Sequence, residues 1–192
     1  MADLRDIEPW YGWLHLYNHE IDPNSPFHDV QHSLFEYNRR IYTFEAHPQW
    51  DEIDSENLLL KILFANYDEG YAIIELLGEW NDLHYNDFRL MRQHCLDQLV
   101  RCGIDKFIFI CENVFNAWLE QDDYYEEFIE DIEDGWMCMI RARANVREDF
   151  RAYGIDSYFF WSPEFDAIRW RKLKPDQLYE FVNQHMGRFL LD

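Results

Sequence analysis

The sequence predicts an α/β fold: a mostly parallel sheet that opens on an antiparallel hairpin, preceded by a β-rich N-terminal extension. Three observations carry this. From Leu58 onward, short apolar runs alternate with segments of helical spacing. The first two runs meet across Asn66-Tyr67-Asp68-Glu69-Gly70, a hairpin turn with glycine near its end. Residues 1–57 carry the clearest turn signals, IDPNSP and HPQWDEIDSEN, and otherwise look extended.

The expected element order from Leu58 is β-β-α-β-α-β-α-β-α. LLLKILFAN (58–66) and YAIIELLGEW (71–80) are the hairpin strands. Asn86-Asp87 supplies a helix start, Phe88, Met91, Cys95, Leu99 and Cys102 recur at helical spacing, and Gly103 marks the stop. DKFIFIC (105–111) is a strand buried on both faces. In residues 122–134, Tyr125, Phe128, Ile129 and Ile132 fall at i, i+3, i+4 and i+7, an amphipathic helix. Strand WMCMIRAR (136–143), helix NVREDFRAYG (145–154), strand IDSYFFW (155–161) and helix PDQLYEFVNQHMG (175–187) complete the order. Upstream, WLHLY (13–17) alternates like a strand, and FEYNRRIYTFEA (35–46) has room for one or two more. No linker divides the chain. A single domain over 1–192 is expected, with 1–57 as the extended segment and 58–192 as the core.

The formal net charge is −21. Residues 1–135 carry 8 basic and 30 acidic side chains, and residues 136–192 carry 9 and 8. So acidic a chain is repelled by phosphate backbones and anionic lipid, which argues against nucleic-acid and membrane-surface roles. The N-terminal stretch has no signal-peptide pattern, and the longest apolar run, LLLKILFA, is far short of a span, so a cytoplasmic protein is expected. Cys95, Cys102, Cys111 and Cys138 form no C-x-x-C pair and are expected to be reduced and mostly buried.

Residues 15–32 hold His15, His19, His28 and His32 in two H-x-x-x-H pairs. In a strand, i and i+4 lie roughly 13 Å apart, so His15 and His19 cannot share an ion side by side. His28 and His32 can share a helical turn, but the segment follows two prolines and has little apolar periodicity. Surface or hydrogen-bonded histidines are expected, with no metal and no cofactor. The acidic run EQDDYYEEFIEDIED is expected to be a solvated helix face or a docking surface for a basic partner.

There is no G-x-S-x-G, no Walker loop and no G-x-G-x-x-G. In open α/β sheets, sites form at the carboxyl ends of strands. Those ends are predicted to carry Asn81 and Asp82, Glu112 and Asn113, Arg143 and Asn145, and Ser162 and Glu164. Asn81, Asp82, Glu112, Asn113 and Arg143 are the candidate binding residues.

Over Leu58 to Asn113 the chain resembles the STAS fold of anti-sigma-factor antagonists and their SpoIIAA-like relatives, on Gly78-Glu79 closing a strand before a helix and a buried strand. That resemblance implies action through partner binding, often switched by phosphorylation of a Ser or Thr after the buried strand. Cys111-Glu112-Asn113-Val114 stands there and offers no hydroxyl. EPWYGWLHLY, HPQWD and GEWND also resemble a family of bacterial proteins of no assigned activity, which implies nothing further. The expected function is a non-enzymatic protein-interaction or regulatory domain, binding a protein partner or a second copy of itself. The competing expectation is a small-molecule binder, or an enzyme using Asp82 and Glu112 for general acid–base work.

Overall fold

A computed structural model describes residues 5–33, 35–37, 39–120 and 123–189. The N-terminal segment supplies β1 (Arg5–Ile7), β2 (Arg39–Ile41), β3 (Phe44–Ala46) and β4 (Asp51–Glu52). The hairpin follows as β5 (Leu58–Asn66) and β6 (Tyr71–Asn81). After the short α1 (Asp82–Tyr85), one helical stretch runs as α2 (Asp87–Met91), a π-turn at Arg92–Leu96 and α3 (Asp97–Arg101). Then come β7 (Lys106–Trp118), α4 (Asp123–Asp131), β8 (Trp136–Ile140) and α5 (Ala144–Ala152). A 3-10 turn at Ile155–Tyr158, β9 (Phe159–Phe160), α6 (Pro163–Ala167), a 3-10 turn at Trp170–Lys172 and α7 (Pro175–Phe189) end the described chain.

The main sheet has the order β4-β5-β6-β7-β8-β9. The pairs from β4 to β6 are antiparallel, and those from β6 to β9 are parallel. This is the mixed α/β architecture with a mostly parallel sheet that the alternating pattern predicts. The N-terminal segment does two things at once. β4 extends the main sheet, while β1, β3 and β2 form a separate three-stranded layer. Gly78 lets that segment come close: a Cβ there would sit 1.8 Å from the Asn57 carbonyl oxygen, and its φ of 125° suits only glycine. Gly103, with φ 91°, closes the helical stretch as predicted.

The main sheet is covered on both faces. Ile62, Ile74, Leu76, Phe107, Phe109 and Met139 point to the face occupied by the helices between β6 and β9, through Phe88, Leu99, Phe128 and Phe150. Ile73, Ile108, Ile110, Cys138 and Ile140 point to the other face, against Trp13, Phe165, Trp170, Leu178 and Val182. The three-stranded layer packs through Ile41, Ala46 and Trp50 onto Leu59 and Leu77. Each large side chain buried in this way contributes about 1.5–3 kcal/mol. Cys95, Cys111 and Cys138 lie inside as expected, and Cys102 is half-buried.

Three local expectations are corrected. Trp13–Tyr17 forms turns, not a strand: Leu14 and Leu16 are about half exposed while Trp13 is buried, a spacing set by the turn. Residues 155–161 are mostly a 3-10 turn, and only Phe159–Phe160 pair with β8. β7 does not end at Cys111 but continues to Trp118. It stays paired with β6 through two register shifts, so the backbone groups of residues 113–118 find partners.

The acidic helix α4 presents Tyr125 and Phe128 to the core as predicted. Its outer face is only partly solvated. Arg92, in the π-turn, contacts Asp131 at 2.6 Å and Glu127 at 3.3 Å, and its guanidinium lies over the Phe128 ring. Among the described residues, no helix is long and apolar enough to cross a membrane.

Candidate functional site

Beyond the end of β8, on the Trp13 and Trp170 face, charged groups from four parts of the chain converge. Glu75, in the middle of β6, is buried. It accepts the Trp10 backbone N–H at 2.8 Å, and Asn113 Nδ2 approaches it at 3.5 Å. Glu112 sits on β7, two residues beyond Ile110, which pairs with the last residue of β8. One Glu112 oxygen takes Arg141 Nη2 at 3.3 Å, and the other takes Arg171 Nη1. Arg171 also lies 3.7 Å from Glu75. Arg141 follows β8 directly with φ 59°, a left-handed conformation that costs a non-glycine residue about 1 kcal/mol.

These contacts drive the two carboxyls apart. Burial pushes Glu75 up to about 7, against the Trp10 N–H and Arg171. Burial also pushes Glu112 up, but Arg171 and Arg141 outweigh it and hold its carboxyl below the usual range. The Glu75 shift has a consequence for stability. A carboxyl whose folded-state pKa is raised stabilises the fold below its ordinary pKa of 4.5, and that contribution is lost as pH rises through about 7. Over that window the protein is expected to lose about 3 kcal/mol from this group. Glu75→Gln is expected to flatten the decline in urea denaturation series, and an unchanged slope counts against the assignment.

The five predicted binding residues fall into two places. Glu112, Asn113 and Arg143 belong to the corner just described. Arg143 Nε donates to the Glu112 carbonyl at 3.3 Å and stacks its guanidinium on Phe115 at 4.8 Å. Asn81 and Asp82 lie where β6 meets Trp118 of β7, six residues past Glu112 and so roughly 20 Å along the strand. There Asn81 Oδ1 caps α1 by accepting the His84 N–H at 3.0 Å. Asp82 accepts the Phe88 N–H at 2.8 Å, Trp80 Nε1 at 3.1 Å and the Tyr125 hydroxyl. Burial raises its pKa despite those donors. Asp82 and Glu112 therefore do not meet as an acid–base pair. Asn145 donates to the Phe115 carbonyl, and Ser162 caps α6.

Sequence reasoning missed Glu75, Arg141 and Arg171. Glu75 did leave a signal, as the one acid in the apolar run YAIIELL. Arg141 and Arg171 left none, because their partners are distant in sequence.

The histidines resolve differently. His15 and His28 are exposed. His19 and His32 converge on one carboxylate, Asp51 at the start of β4. His19 Nε2 lies 2.7 Å from Asp51 Oδ2, and His32 Nε2 lies 2.8 Å from Oδ1, off the line of a hydrogen bond. Lys61 Nζ completes the group, 3.7 Å from Asp51, 3.3 Å from Glu20 and 2.7 Å from the Gln49 carbonyl. Burial pushes Asp51 up, but His19, His32 and Lys61 reverse the sign and lower its pKa. An ammonium thus provides the cation that balances these acids. Among the described residues no group of three or more His, Cys, Asp or Glu is arranged to hold a metal. A cleft of about 350 Å³, bounded by Phe27, His32, Arg39, His47 and Asp51, opens beside this cluster.

No family model and no curated protein matches the chain. A solved structure of the anti-sigma factor antagonist SpoIIAA in its unphosphorylated form is similar, at 13% identity over 60% of this chain and 98% of that one. With a TM-score of 0.39, it is a weak STAS-like resemblance.

Proposed function

We propose that the chain is a protein-interaction domain whose docking surface is the three-stranded N-terminal layer. The observation that carries this is the exposure of Phe35, Tyr37 and Tyr42, three aromatic side chains within eight residues, with Phe35 87% exposed. They flank a sheet whose outer strands, β1 and β2, each pair only with β3 among the described residues. An open strand edge beside exposed aromatic rings is a surface that another chain covers favourably, by strand addition and ring burial. The charge of −21 favours a basic partner, whose affinity falls as salt rises.

The test compares wild type with Phe35→Ser/Tyr42→Ser by sedimentation and by affinity capture from the native cell. Expected is a stoichiometric partner, or a second copy of the chain, that the double variant loses while its circular dichroism spectrum stays that of the folded wild type. A monomer that retains nothing, or equal retention by both proteins, sinks the reading.

A further inference from the structure

The basic side chains of residues 136–192 are not scattered. Arg141, Arg169, Arg171 and Lys172 line one hollow of about 320 Å³ beyond the end of β8. Ile168 and Trp170 form its apolar wall, and Glu112 is its one carboxylate. Four cations against one acid is the reverse of the balance over the whole chain.

Two of the four are fixed in advance. Arg171 stacks on Trp170 at 4.3 Å and on Trp10 at 5.6 Å. Arg141 is pinned by its bond to the Asp166 carbonyl at 2.5 Å. Glu112 between them shows that this pair already closes on an oxyanion. The other two, Arg169 and Lys172, are exposed, and their side chains have no ion pair or hydrogen bond among the described residues. Acids are abundant elsewhere, yet none among the described residues is placed to neutralise them.

We propose that this hollow binds a phosphate group, seated on Arg169 and Lys172 with Arg171 behind it. Two uncompensated positive charges, with Arg171 shared between them and Glu112, suit a dianion better than a single carboxylate. Tetrahedral phosphate oxygens can also meet cations arriving from several directions, and guanidinium forks match their spacing. Ala167, exposed at the rim beside Ile168, can meet the apolar body of a phosphate monoester. The site is independent of the N-terminal layer and stands or falls apart from it.

The test is an amide NMR titration of the full chain with inorganic phosphate, then with phenyl phosphate, against potassium chloride at matched ionic strength. Expected is saturable binding with a Kd of about 1 mM or tighter, and shifts centred on Arg141 and residues 167–172. Phenyl phosphate is expected to bind more tightly than inorganic phosphate. Arg169→Ser/Lys172→Ser changes two exposed side chains and is expected to weaken binding about tenfold with an unchanged melt. No saturation, an equal response to chloride, undiminished binding by the variant, or tighter binding of malonate than of phosphate would each overturn the proposal.

Discussion

Asp51→Ala is expected to destabilise the protein by about 3–5 kcal/mol, the range for removing one member of a buried charged group. Asp51 is the acid on which His19, His32 and Lys61 all bear, and both Asp51 and Lys61 are buried. Without it, the Lys61 ammonium keeps only Glu20 and the Gln49 carbonyl. Urea denaturation followed by circular dichroism measures the loss. A second substitution separates the causes. Asp51→Ala/Lys61→Met is expected to recover part of the stability, because it removes the stranded charge as well. If the double variant is no better than the single one, the charge account is wrong. The pH dependence has a definite sign. Because its folded-state pKa is lowered, Asp51 stabilises the fold above its unfolded value of about 3.9 and loses that contribution as pH falls further. The acid limb of the stability curve should therefore be shallower in Asp51→Ala.

Trp80→Ala is expected to cost about 3–5 kcal/mol, the range for truncating a fully buried aromatic ring. Trp80 is 0% exposed. Its ring meets Phe150 at 5.2 Å and Phe88, Phe159 and Phe109 at 6.1 to 6.4 Å. Its Nε1 also donates to Asp82 at 3.1 Å and to the Tyr125 hydroxyl at 2.9 Å. Trp80→Phe keeps much of the ring and drops the donor, so it should cost less, about 1–3 kcal/mol. A loss below about 1 kcal/mol for Trp80→Ala would show that the pocket collapses around the missing ring.

What was legible in the sequence follows from how local each signal is. The bounds of β5 and the start of β6 could be read because apolar runs and a glycine turn lie side by side. The second half of β7 could not, because Glu112, Asn113 and Asn116 interrupt the apolar run and its pairing comes from β6. Residues 13–17 misled for another reason. In a five-residue stretch, alternation does not separate a strand from a turn that buries Trp13 and half-buries Tyr17. The candidate site was half legible. Glu112 and Asn113 were picked from a strand end that lies instead at Trp118, and only Arg143 follows the end of a strand, whereas their partners Glu75, Arg141 and Arg171 are joined to them only by tertiary contact.

The contact of Trp10 and Trp13 with Trp170 sets an order of events during synthesis. Trp13 Nε1 donates to the Leu173 carbonyl, 160 residues later, and both early tryptophans pack edge-on against Trp170. At 5–20 residues per second, a ribosome takes about 10–30 s to make the intervening chain. For that interval the two tryptophans lack Trp170 and the Leu173 carbonyl, and have only the β5–β6 hairpin to pack on. The N-terminal segment is thus made well before Trp170 and docks fully only after it, and in that gap the nascent chain is most open to chaperones and to aggregation.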